Sequence, residues 1–367
     1  MAPIPQDRLV RKEVALGVIR EYEPPQDHIG LRLFAPFQDV GSDEVIFGYQ
    51  RGLTVGMAPA RAEDAEAELA GKDESVGTGR ASIIDWAIKD HYDPSDVTRY
   101  REGLIIGDLA GAASLSLSFT GSATEEYQRK IARDTLLRRR RLDNRLEWLI
   151  MSALDTNQIV YNDGRVIFTV KFDRPSNQQD MATVNGQLWS STTSDPIEDM
   201  LSIKSTARTA HGIQKLTAVM SDRVWRSLRK TSKFVDALTG SNPLYKVAGW
   251  GDAAAAEFIS SQVEIEFLIY DSVYRTRNLG SNTITNTRFT RDDVVMFVPS
   301  ATDIAQYDDA IGFGKTLTSP HAEGNFTPGF YEWERDTVDP WSHDMGTGIK
   351  AFPVFPHMDK TWVMKVL

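Results

Sequence analysis

The residues best suited to chemistry are few and scattered. Six histidines, His28, His91, His211, His321, His343 and His357, fall at spacings that match no metal-binding pattern. The chain has no cysteine, which removes disulfides, thiolate nucleophiles and thiolate-bound metals. Neither H-E-x-x-H nor G-x-S-x-G occurs. Gly312-Phe-Gly314-Lys315-Thr316 ends like a phosphate-binding loop, but Asp309 stands where the first glycine of that motif belongs, so a plain glycine turn is expected. Gly346-Thr-Gly348-Ile-Lys-Ala351 matches G-x-G-x-x-A formally. It lies too near the C-terminus to open a βαβ unit and reads as a loop. Asn325-Phe-Thr327 fits the glycosylation sequon, yet nothing points to secretion. Asp195, Glu198 and Asp199 stand where a helix N-terminus favours acids, and that capping role is preferred to catalysis. No catalytic residue, metal ligand or cofactor site is assigned.

The strongest remaining feature is Arg138-Arg139-Arg140-Arg141. Four guanidiniums in a row can hold phosphates, meet acidic surfaces of neighbouring subunits, or simply be solvated. The element that carries them decides among these readings. Ser122-Ala-Thr-Glu125 forms a capping box, and no Gly or Pro interrupts the chain from there to Gln158. One helix over Ser122–Gln158 is expected, about 54 Å long at about 1.5 Å per residue. Tyr127, Ile131, Leu142, Leu146, Leu149 and Ala153 trace an apolar stripe along it. Glu125/Arg129, Glu126/Lys130, Asp134/Arg138 and Arg139/Asp143 sit four apart, which predicts a solvated, ion-paired opposite face. Arg140, Arg141 and Arg145 lack such a partner. The helix therefore reads as a strut, with the arginines as subunit or solvent contacts.

The chain has 367 residues, with 51 acidic and 41 basic side chains and a net charge of -10. That balance argues against a dedicated nucleic-acid binder. No signal-peptide run and no apolar stretch of membrane-spanning length occurs, so a soluble protein of the cytoplasm is expected. Prolines 3, 5, 24, 25 and 36 break up the N-terminal region. Its cluster Leu31, Leu33, Phe34 and Phe37 is too small to fold alone, so either an arm on a neighbouring surface or a frayed terminus is expected there. Val45–Gln50 and Leu53–Met57 read as strands about an Arg51-Gly52 turn, with Ala81–Ile88 as a returning strand. Such a projecting hairpin would rest on another subunit. Val166–Phe172 alternates like a strand. Strands and helices then interleave between about 190 and 310, indicating a compact α/β or α+β unit. Gly348–Pro356 and Lys360–Leu367 read as strands that return to pair beside Val166.

Four stretches in this order resemble the lambda-type major capsid proteins of tailed phages, the major capsid protein E family with the HK97-type fold. Arg138–Asp155 looks like the end of that family's spine helix. Trp189 followed by Asp195-Pro-Ile-Glu-Asp199 is similar to its W…DP-x-x-D opening. Thr217–Leu228 resembles its strand and following helix, and Val295–Val298 with Gly312-Phe-Gly314 the end of that unit. The resemblance spans nearly the whole chain and implies an α+β architecture. Residues 1–42 would be an N-terminal arm and 43–98 an extended β-hairpin loop. Residues 99–189 and 327–367 would form a peripheral domain with the spine helix, and 190–326 an axial domain.

The implied function is a major head protein that assembles into pentamers and hexamers of an icosahedral shell enclosing double-stranded DNA. Implied partners are further copies of itself, a separate scaffolding protein, the portal, a decoration protein in some shells, and the enclosed DNA by non-specific contact, with no membrane. The location would be the virion, after assembly in the host cytoplasm. Candidate subunit-interface residues are Leu31, Phe34, Phe37, Phe47, Tyr49, Trp86, Arg138, Arg140, Arg141 and Arg145. The other readings are a protein-cargo nanocompartment shell of the same fold, resembling an encapsulin, and a soluble α/β enzyme.

Overall fold

The computed structural model describes residues 12–50, 76–93, 123–164, 166–239, 251–277, 283–300, 313–338 and 341–367. The Ser122 capping box and the Leu53–Met57 strand lie outside these. So do the side chains of Phe47, Tyr49 and Tyr127.

The long helix runs from Ala123 to Thr156, 34 residues or about 51 Å. It stops where Asn157 turns to a positive φ of 58°, a conformation asparagine tolerates better than most residues. Ile131, Leu142, Leu146, Leu149 and Ala153 are all buried, as the stripe predicts. The opposite face differs from expectation, because Arg138, Arg139, Asp143 and Glu147 are buried too. The helix is covered on several sides by its own chain.

One of those covers is the N-terminal region. A helix over Lys12–Glu21 sends Ala15 and Ile19 into the interior. A π-helical turn over Gly30–Phe34 then lays Leu31 and Phe34 in the same core as Leu142, Leu146 and Ile150. Phe37–Asp39 continues as a strand parallel to Lys315–Thr318. Residues 28–39 are thus not frayed: Leu31, Phe34 and Ala35 are buried within the subunit, while Leu33 stays exposed.

The main sheet is organised on the 14-residue strand Trp341–Val354. It pairs antiparallel with Phe330–Val338, with Asp85–Tyr92 and with Lys315–Thr318. The Gly346–Ala351 stretch, read as a loop, lies inside this strand. Its glycines serve close packing: a Cβ on Gly346 would sit 2.1 Å from the Trp333 ring, and one on Gly348 2.4 Å from the Tyr331 ring. The expected 81–88 strand is two strands, Val76–Ser82 and Asp85–Tyr92, separated at Ile83-Ile84. Val76–Ser82 pairs with Glu44–Gln50.

The second sheet has the order Trp362–Lys365, Val294–Pro299, Leu216–Met220, Ile265–Ile269, with only the last pair parallel. All six residues of Val294–Pro299 are buried, because both faces of the sheet are covered. Alternate residues therefore serve two cores. Val294, Met296 and Val298 pack with the long helix, whereas Val295 and Phe297 pack with Trp189, Trp225, Phe234 and Trp362. Helices over Pro196–His211, Asp222–Lys230, Ser232–Thr239 and Asp252–Val263 complete this α/β unit. The C-terminal strand does not pair beside Val166 as expected. Ile167–Lys171 instead forms a hairpin with Gln158–Asn162, closed by an Asn162 side chain that accepts from the Gly164 amide at 2.9 Å. Ile284–Arg288 forms a strand paired antiparallel with Val273–Arg277.

Candidate assembly surface

Successive residues of a helix point about 100° apart, so four consecutive arginines face four directions. Arg138 points into the main sheet and is fully buried. Its Nε donates to Thr347 Oγ1 at 2.9 Å, Nη1 to Asp90 Oδ2 at 3.0 Å and to the Tyr92 hydroxyl at 3.2 Å, and Nη2 to Thr135 Oγ1 at 2.8 Å. Glu332 lies 3.7 Å from Nη2, and burial pushes its carboxyl up to about 7 against the opposing pull of Arg138. Asp134 keeps the expected four-residue spacing but accepts from Tyr92 instead. One guanidinium thus joins the helix to two strands far away in sequence.

Arg139 turns toward the N-terminal helix. It makes the predicted pair with Asp143, at 3.0 and 3.1 Å to the two oxygens, but inside the protein. Its guanidinium lies 3.3 Å from the centre of the Phe330 ring. Burial lowers the Arg139 pKa and raises that of Asp143, each opposed by the other's charge. Arg140 is exposed and donates to the Tyr22 hydroxyl at 3.0 Å. Arg141 is exposed, and among the described residues its side chain has no hydrogen-bond or ion-pair partner. Arg145, one turn on and half-buried, sits over the rings of Trp86, Trp148 and Tyr161 at 5.8, 5.3 and 5.1 Å.

The other candidates separate in the same way. Leu31, Phe34, Trp86 and Arg138 are buried within their own subunit, and Trp86 also donates from Nε1 to the Ala351 carbonyl at 2.9 Å. The surfaces of these four are already covered within the subunit. Phe37 is half-buried, edge-on to Phe330. Arg140 and Arg141 remain on the surface.

Three joints escaped sequence reasoning. Glu147, at the centre of the helix, accepts from the backbone amides of Gly30 and Leu31 at 2.9 and 3.0 Å and from the Tyr270 hydroxyl at 2.8 Å. Burial pushes its carboxyl up to about 7, opposed by these three donors. Gly30 is required there, because a Cβ would come within 2.7 Å of the carboxylate. At the helix end, Arg174 donates from Nη2 to the Leu154 carbonyl at 2.6 Å and from Nε to Thr361 at 2.8 Å. Burial lowers its pKa to about 10. Arg291 bridges Asp155 at 2.8 Å and Asp180 at 2.7 Å. The Trp189…Asp199 spacing also gains a cause: the indole donates to Asp199 at 2.7 Å, and the Val184 amide to its other oxygen at 2.7 Å. Asp195 does cap the helix, accepting from Glu198 at 3.2 Å. Gly314 is a packing glycine, since a Cβ would lie 2.4 Å from Phe355 and 2.9 Å from the Phe34 carbonyl.

A long helix braced by buried charge, with an arginine pair left outward, defines a structural subunit. The comparisons with known proteins give its kind. The model of the phage major capsid protein E family matches residues 15–312, and the chain belongs to that family. A putative capsid protein of a prophage of Escherichia coli CFT073 superposes with a TM-score of 0.60 at 15% identity, covering 98% of this chain and 99% of the other. A phage-related protein of Bordetella bronchiseptica RB50 does so with a TM-score of 0.52 at 15% identity, covering 98% of each. No curated protein sequence matches. The fold is the HK97-type capsid fold, and the protein is a shell-forming major capsid protein of a phage virion.

Proposed function

We propose that copies of this chain form the pentamers and hexamers of a tailed-phage head that encloses double-stranded DNA, assembled in the host cytoplasm on a separate scaffolding protein and around a portal. The observation that carries this reading is the family match over residues 15–312, which takes in the N-terminal helix, the 44–82 hairpin, the spine helix and most of the α/β unit. In this reading residues 1–42 are the arm and 43–98 the extended loop. The long helix and main sheet form the peripheral domain, and the unit within 190–326 forms the axial domain. The chain acts as a scaffold of mass and shape, without a catalytic role.

The subunit contacts are carried by the arginines left outward, Arg140 and Arg141. Reversing both, Arg140→Glu with Arg141→Glu, is expected to lower the yield of shells while any shells that form retain their DNA. Negative-stain microscopy and a nuclease-protection assay measure the two quantities separately. Shells of normal yield that leak DNA would place those arginines on the genome instead.

A further inference from the structure

A groove of about 410 Å³ lies beside the spine helix. Its floor is helical, with Arg141, Asn144, Arg145 and Trp148. One wall is the Gln158–Asn162 hairpin and the other the Val273–Arg277 hairpin, which contributes Arg275. Three guanidiniums therefore converge on one cavity. Arg145 is held over three aromatic rings, and neither Arg141 nor Arg275 has a side-chain ion pair among the described residues. Asp163, the acid among the described lining residues, is already engaged: it accepts from the Tyr161 hydroxyl at 3.1 Å and from the Val166 amide at 2.7 Å. The groove thus holds three guanidiniums against one carboxylate.

The two hairpins also expose apolar side chains. Val160 and Ile167 are 52% and 71% exposed on one, and Val273 and Ile284 are 51% and 60% exposed on the other. A phosphate backbone offers nothing to cover such groups, whereas a protein segment covers them and supplies carboxylates as well. Arginine and aromatic groups beside apolar ones are the composition of an interface centre. The chain itself is the matching partner: it carries 51 acids against 41 basic residues, and in a shell every copy has neighbours at high local concentration.

We infer that this groove seats a carboxylate-bearing segment of a second copy of the chain, an inference that rests on the shell reading above. Its carboxylates meet Arg141, Arg145 and Arg275, and its apolar side chains cover Val160 and Val273. Arg145 is the positioning residue, already fixed by its rings.

Because the chain has no cysteine, Asn162→Cys provides a single thiol on the groove wall for a maleimide photocrosslinker. Illuminating assembled particles should give a product of twice the subunit mass, with the link mapping by mass spectrometry to a peptide containing Asp or Glu. Products that stay at monomer mass, or that join the chain to DNA, overturn the inference. In parallel, Arg275→Glu should lower particle yield about tenfold, as for a charge at an interface, while Arg275→Lys retains most of it. Parent-like yield from Arg275→Glu would also overturn it. The two readings fail differently: a parent chain that forms no shells sinks the shell reading and this inference together, whereas shells with only monomer-mass products sink the groove alone.

Discussion

Glu147 and Glu332 are buried carboxylates at the joints of the long helix. Burial raises both to about 7 from an ordinary value of 4.5. The folded chain therefore binds protons more tightly than the unfolded one. Their contribution to stability is fully present below about 4.5 and is lost as pH rises through about 7. Urea denaturation of the unassembled chain at pH 5 and pH 8 should show the higher midpoint at pH 5, and Glu147→Gln with Glu332→Gln should flatten the difference. A parent midpoint that rises with pH across this window would contradict the assignment. Arg138 gives the complementary test. Arg138→Ala leaves Glu332 without its cation and should cost about 3–5 kcal/mol, the usual result of breaking a buried charge pair. Adding Glu332→Gln should recover part of that loss, and an unimproved double variant would show that packing alone was at stake.

At the scale of elements, the long helix and the 14-residue strand are fixed by opposite devices. The helix ends at Asn157, whose positive φ makes a β-branched residue costly. Asn157→Val should destabilise by about 1–2 kcal/mol and Asn157→Gly by much less. Equal losses from the two would mean that the side-chain contacts of Asn157 with Arg174 dominate. Along the strand, Gly346 and Gly348 let the rings of Trp333 and Tyr331 lie against the backbone. Gly346→Val would drive a branched side chain into Trp333 and should cost about 1–3 kcal/mol or more in thermal or urea melts, the usual penalty of overpacking. A variant as stable as the parent would show that the Trp333 ring can move aside.

At the scale of the whole molecule, the four-stranded sheet is a wall shared by two cores. Removing packing from either face should therefore shift one common transition. Met296→Ala, on the helix side, and Phe297→Ala, on the other, should each destabilise by about 2–5 kcal/mol. Tryptophan fluorescence and circular dichroism should stay coincident in both variants, as two-state unfolding requires. Separate transitions would show that the cores unfold independently. In the proposed shell, the subunit contacts fall to what the molecule leaves outside, namely Arg140, Arg141 and the groove between the hairpins.

Local pattern determined much of this protein. The apolar stripe placed Leu142, Leu146, Leu149 and Ala153 inward, because helical periodicity alone selects that face. Asp195-Pro196 marked its helix start because capping is settled within four residues. The order of the elements was enough to point to the capsid family. Only the tertiary structure decided the rest. A run of four arginines spans the whole circumference of a helix, so its sequence cannot tell the buried Arg138 from the exposed Arg141. Strand partners such as Val294–Pro299 with Trp362–Lys365 are set by which sheet face meets which core, a long-range condition. The glycines of 346–351 read as a loop because the rings that require them, Trp333 and Tyr331, approach from another strand. The N-terminal segment read as an arm without a seat because its seat, Glu147 and the core around Ile150, lies more than a hundred residues away along the chain.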